Sequence, residues 1–149
     1  MKRIQLECIV FRENKGKIEY LLLKRIPKKG GFWQPPCGKM EEQDLSILDG
    51  CYREILEETS INKEEILEVI ENVDYFEIKK HYLTGEPLYP IVKEYVLGFK
   101  VGINVAISIE NNIYPEHSEF KWVEYDEAIE LLKWQNNKDA FEKLKEMID

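Results

Sequence analysis

From about Leu45 to Thr59 the apolar residues fall at helical spacing, and what the other side of that helix carries constrains the chain more than any other feature. At roughly 100° per residue, Leu48, Cys51, Tyr52, Ile55 and Leu56 share one side, while Glu54, Glu57 and Glu58 share the opposite one. The apolar face has to pack against another layer. The acidic face gathers three like charges at i, i+3 and i+4, where each pair repels by roughly 0.2 to 0.5 kcal/mol in an isolated helix. A positive partner is expected there. Hard divalent cations prefer oxygen ligands and bridge to phosphates, which suits a carboxylate cluster on a rigid helix; a plain solvated acidic surface is the alternative. Arg53 is adjacent and can fix the orientation of one carboxylate.

Around this helix the chain reads as strands and further helices without a linker or repeat, and 149 residues at 44% hydrophobic content suit one domain over 1–149. Gln5 to Phe11 and Ile18 to Leu23 form a hairpin across Glu13-Asn14-Lys15-Gly16-Lys17. Phe32-Trp33-Gln34-Pro35-Pro36 is restricted to short extended structure by its prolines. Leu67 to Leu83 reads as one long bent strand or two, Ile91 to Val101 and Phe120 to Val123 as single strands. Asp126 is the expected cap of a helix over Ala128 to Trp134, and a last helix runs from Asn137 or Lys138 to Ile148. Strands on both sides of a central helix without regular alternation predict an α/β chain of the α+β kind, a mixed β-sheet sandwiched between helices.

Charge and cysteine content exclude several functions. With 29 acidic against 21 basic residues the formal net charge is -8, which disfavours nucleic acid as a partner. Uncharged apolar stretches such as Tyr20 to Leu23 fall far short of the roughly 20 residues that cross a bilayer, so no membrane partner is expected. Glu7 interrupts the N-terminal segment before a signal-peptide core develops, and the expected location is cytoplasmic. Cys8, Cys37 and Cys51 are odd in number and lack CxxC spacing, which argues against a disulfide framework and a structural zinc site.

Gly38-Lys39-Met40-Glu41-Glu42 followed by Arg53-Glu54-Ile55-Leu56-Glu57-Glu58-Thr59-Ser60-Ile61 resembles the Nudix box, whose pattern is Gly, five residues, Glu, seven residues, Arg-Glu-apolar-x-Glu-Glu-x-Gly-apolar. The loop between Gly38 and Arg53 is one residue longer than the pattern, Asp44 or a neighbour stands for its first Glu, and Ser60 replaces its closing Gly, a substitution expected to alter the helix exit. Phe32-Trp33-Gln34 and Glu116-His117-Ser118-Glu119-Phe120-Lys121-Trp122 resemble the branch of that family cleaving dihydroneopterin triphosphate and deoxynucleoside triphosphates such as dATP. Trp33-x-Pro35-Pro36-x-Gly38 and the Glu116 segment also resemble its diadenosine tetraphosphate hydrolases.

The resemblance implies a Nudix hydrolase that splits a nucleoside-triphosphate-like or pterin triphosphate substrate into a monophosphate and pyrophosphate. Its implied cofactor is Mg²⁺, with Mn²⁺ as a substitute, held by Glu54, Glu57, Glu58 and Glu116. Arg53 would orient this group, and either Glu57 or Glu116 would be the base. A binding module that senses a nucleotide without cleaving it is the rival, disfavoured because all three box carboxylates are present. Substrate contacts are expected from Gly38, from Lys24 and Arg25, whose alternative is a solvated loop, and from Trp33, which either stacks on a ring or packs in the core. His81 and His117 are expected to be structural, and Trp122 and Trp134 to be packing residues.

Overall fold

The computed structural model describes residues 3–149; Met1 and Lys2, with which the segment considered for a signal peptide begins, lie outside the described residues. Seven strands and three helices follow in the order β1 (Arg3–Asn14), β2 (Lys17–Arg25), β3 (Trp33–Gln34), β4 (Cys37–Lys39), α1 (Ile47–Thr59), β5 (Ile66–Lys80), β6 (Pro87–Val101), β7 (His117–Val123), α2 (Tyr125–Leu131) and α3 (Gln135–Ile148). The first hairpin closes through Lys15 and Gly16, both at positive φ (54° and 81°), the conformation a two-residue turn needs to match strand twist. The segment around Leu67 to Leu83 is one strand, β5, with register shifts against β6. Asp126 does not cap α2. The helix begins at Tyr125 directly after β7, so Asp126 lies in its first turn, where an acid favours the helix dipole, and α2 ends before Trp134.

The sheet runs β3-β2-β1-β6-β5, with β4 added beside β1 and β7 beside β2. β1 and β6 are parallel and the other pairs antiparallel, which makes the sheet mixed as expected. Because successive side chains of a strand point to opposite faces, β1 divides its apolar residues between two cores. Leu6, Cys8 and Val10 pack with Leu21, Leu23, Cys51 and Ile55 under α1. Ile9 and Phe11 pack with Tyr20, Leu22, Ala128, Leu132, Phe141 and Leu144 under α2 and α3. All three cysteines are free, Cys8 and Cys51 buried and Cys37 half-buried.

Helix α1 is enclosed on more than one side, which corrects the simple two-face picture. Cys51 and Ile55 are buried as expected, but Leu56 is 48% exposed, whereas Glu54 and Glu58 are buried at 6% and 4%. The reason is the segment from Cys37 to Asp44, which folds over part of the acidic side: the Cys37 N–H donates to Glu58 and Asp44 pairs with Arg53. Gly50 permits close approach to the sheet, since a Cβ there would stand 2.6 Å from Leu6 Cδ1. At the helix exit Ser60 takes the left-handed conformation (φ 64°) that the pattern's Gly would take, so the exit is not altered. Its hydroxyl donates to the Ser108 carbonyl at 3.0 Å and accepts from Asn111 at 3.1 Å, offsetting the cost of a side chain in that conformation.

At the helix start, Ser46 Oγ accepts from the Asp49 N–H at 3.1 Å. Ser46→Ala is therefore expected to lower stability by about 1 kcal/mol in a urea melt, the usual cost of losing an N-cap; an unchanged midpoint would show that α1 is anchored without its cap.

Candidate active site

Arg53 organises the site. Its Nε and Nη2 reach Asp44 Oδ1 and Oδ2, each at 2.9 Å, a two-pronged pair, and Nη2 also donates to the Lys39 carbonyl at 2.9 Å. On its other side Nη1 meets Glu54 at 2.9 Å, Glu41 at 3.0 Å and Glu57 at 3.2 Å. The positive partner expected for the acidic face is thus supplied by the chain itself. Asp44, where the pattern has its first Glu, is held below its ordinary range by these hydrogen bonds, so the longer loop leaves it bound to Arg53.

Glu41, Glu54 and Glu57 each bring one carboxylate oxygen to within 4.8 Å of the others, a set of hard donors suited to a divalent cation. The sequence reading missed Glu41; its signal was its place in the loop that returns to Arg53. Glu58 and Glu116 stand apart from this group. Glu58 Oε2 accepts from the Cys37 N–H at 3.3 Å, and Glu116 is engaged by Lys29 Nζ at 3.0 Å. Both nevertheless lie close enough for the Glu116 charge to raise the Glu58 pKa. Gly38 leaves room for the box: a Cβ there would fall 2.3 Å from the Glu54 carboxyl, so its absence lets Glu54 lie against β4.

Beside this cluster is a cavity of about 460 Å³, within the range of small-molecule sites. Arg25, Phe32, Gln34, Cys37 and Lys39 line it, as do Tyr82 and Trp134. Trp33 does not. It faces away on β3, half-buried against the core that holds Leu132. Lys24, opposite it in register, pairs with Glu119 at 3.6 Å and lies 5.9 Å from the Trp33 ring centroid, away from the cavity. Of its two alternatives Trp33 thus takes core packing, and the tryptophan on the cavity wall is Trp134, expected from the sequence to pack, with Phe32 at 5.7 Å and Tyr82 at 5.8 Å in edge contact with it. Strand alternation decides this: the residues on either side of Trp33 line the cavity. His117 is buried, 2.9 Å from Gln34, and burial pulls its pKa down to about 4; His81 Nδ1 accepts from the Leu83 N–H in a turn, although its side chain also borders the cavity. Trp122 packs beneath Arg12.

The Nudix domain family model matches residues 1–144, and the chain belongs to the Nudix family. It is a Nudix hydrolase. It is 31% identical over 133 residues to the RNA pyrophosphohydrolase of Pelagibacter ubique, covering 85% of this chain and 82% of that protein. Among solved structures it shares its fold with the Ap4A hydrolase of C. elegans in a binary complex, at TM-score 0.76 and 23% identity over 97% of this chain and 96% of that one. The dihydroneopterin triphosphate pyrophosphohydrolase of E. coli matches at TM-score 0.72 and 21% identity over 94% and 92%. No helix among the described residues is long and apolar enough to cross a membrane.

Burial pushes Glu54 up to about 7 despite Arg53, and raises Glu58 well above the carboxylate range. Glu7 and Glu94, which also line the cavity, shift the same way, Glu94 to about 7. The folded state therefore holds protons that the unfolded chain has released above its ordinary value of about 4.5, and folding loses stability as pH rises toward 7. The lowered His117 acts oppositely between about 4 and 6.5, but it is one group against four. In chelator the melting temperature should fall between pH 5 and 7.5, and saturating Mg²⁺ should flatten part of the decline by binding charged Glu54; a stability that climbs over that range in chelator would contradict this electrostatic account.

Proposed function

We propose that the chain is a Mg²⁺-dependent pyrophosphohydrolase that splits a nucleoside-triphosphate-like substrate, with the ring in the cavity and the phosphates toward α1, into a monophosphate and pyrophosphate. The observation that carries this reading is the convergence of Glu41, Glu54 and Glu57 beside an aromatic-lined cavity in a Nudix chain. An all-carboxylate donor set fits Mg²⁺ and, equally, Mn²⁺. Such an ion, when bound, neutralises phosphate oxygens and acidifies water.

The chain's own residues supply the rest. Arg53 holds Glu54 and Glu57 in place through Nη1, and Glu58 and Glu116, outside the group of three and engaged by the Cys37 N–H and by Lys29, would serve as further ligands. Arg25, on the cavity wall, is placed to meet a phosphate. The base that takes the water proton is Glu57 or Glu116. Glu57 is 45% exposed at the open end of the cluster; Glu116 would first have to leave Lys29. The 31% identical relative favours a second reading, in which the phosphoanhydride is borne on RNA. The net charge of -8 speaks against long contacts with an RNA backbone, so only a chain end would be held.

The test is a panel of dATP, GTP, dihydroneopterin triphosphate, Ap4A and triphosphorylated RNA with Mg²⁺, with products resolved. Pyrophosphate and a monophosphate are expected from a free triphosphate; release of orthophosphate alone, or no turnover, would refute the proposal, and preference for the RNA would install the second reading. Glu57→Gln should lower kcat by at least about 10² without loss of fold, and Glu116→Gln by roughly 10² to 10⁴ if it is the base, with loss of an ionisation from the pH profile. Near-normal turnover of Glu57→Gln at ordinary Mg²⁺ would remove it from the cation site.

A further inference from the structure

Glu7 is a buried acid that the cation cluster does not use. It lies on β1, 1% exposed, among the residues lining the cavity. Its Oε1 accepts from the Asn137 side chain on α3, and its Oε2 has no hydrogen-bond partner among the described residues. An unsatisfied buried polar group costs roughly 1 to 3 kcal/mol, more if charged, so such an oxygen calls for a partner from outside the chain. Glu94 borders the same cavity from β6, 6% exposed, paired in register with Gln5 two residues before Glu7. Phe32, Tyr82 and Trp134 give that cavity aromatic faces.

Building on the pyrophosphohydrolase reading, in which this cavity takes the substrate's ring, we propose that Glu7 is its specificity-determining residue. It accepts hydrogen bonds from a ring edge presenting an N–H beside an exocyclic NH₂, the 2-amino-4-oxo edge common to guanine and the pterins. An ionised carboxylate only accepts, and its two oxygens match two parallel donors. Adenine alternates a donor with an acceptor along the corresponding edge, so its ring nitrogen would turn a lone pair toward the ionised carboxylate. Asn137 holds Oε1 and so acts as a positioning residue for Glu7. Burial and the Glu94 and Asp74 charges raise the Glu7 pKa, and donors from a ring favour the charged form, offsetting that cost.

Calorimetry with GMP, IMP, AMP and neopterin phosphate, run on the full chain and on Glu7→Gln with melting temperatures recorded, tests this. Wild type should bind GMP or the pterin at least tenfold more tightly than AMP, with IMP weakened by the loss of its amino group; GMP against the pterin distinguishes the two sources of the edge. In Glu7→Gln, whose amide offers a donor and an acceptor, the GMP-to-AMP or pterin-to-AMP ratio should fall at least tenfold. Equal binding of GMP, AMP and the pterin by wild type, no binding of any, or a ratio unchanged in a folded Glu7→Gln would overturn the assignment. Should the variant not fold, the wild-type ratios decide alone. Selective binding without hydrolysis of any triphosphate would refute the pyrophosphohydrolase reading and leave this one standing, whereas turnover indifferent to the ring would do the reverse.

Discussion

One guanidinium among four carboxylates sets the geometry on which the site depends. Arg53 touches Asp44, Glu41, Glu54 and Glu57, and its contact with the Lys39 carbonyl ties the loop after β4 to helix α1. Arginine does not lose its proton in proteins, and its planar fork holds Asp44 at two points, so the pairing is fixed in charge and in direction. The pair is only part-buried, so breaking it costs less than the loss of a fully buried one, but it would leave the remaining charge uncompensated. One positive charge against four negative ones still leaves the cluster strongly acidic. The same residue thus keeps Glu54 and Glu57 together and leaves them short of positive charge, the condition under which a divalent cation adds to the fold.

Placement of the cavity beside this cluster follows from two prolines. Pro35 and Pro36 separate β3, which pairs with β2, from β4, which pairs with β1. The Pro36 carbonyl accepts from the Cys8 N–H at 2.8 Å and so anchors the crossing segment to β1. Gln34 and Cys37 on either side of it line the cavity, and the Cys37 N–H donates to Glu58 of the box helix. A short extended segment therefore joins the cavity wall to the carboxylates through backbone hydrogen bonds.

The helix, its charge and the layered architecture were legible in the sequence because each rests on local periodicity. The wrap of residues 37 to 44 over α1 was not: it depends on Arg53 reaching Asp44 across the loop, a contact that no period encodes. For that reason the burial of Glu54 and Glu58, the exposure of Leu56 and the membership of Glu41 became visible only in three dimensions. The exchange of Trp33 for Trp134 has a different cause. Both are tryptophans beside extended segments, and which one meets the cavity is decided by the side of β3 that faces it and by where α2 ends. Asp126 was a reasonable cap by residue type, but β7 runs straight into the helix and left it inside the first turn.

Binding of a divalent cation by the Arg53-held carboxylates in the absence of substrate is the property on which the site most directly depends. A Mn²⁺ titration followed by electron paramagnetic resonance, with Mg²⁺ as competitor, measures this on wild type and on Glu54→Gln. Saturable Mn²⁺ binding that Mg²⁺ displaces, weakened at least about tenfold in a folded Glu54→Gln, is the predicted result, since the variant removes a charged oxygen ligand from the set. Binding of equal strength in both proteins, or none in wild type, would contradict it.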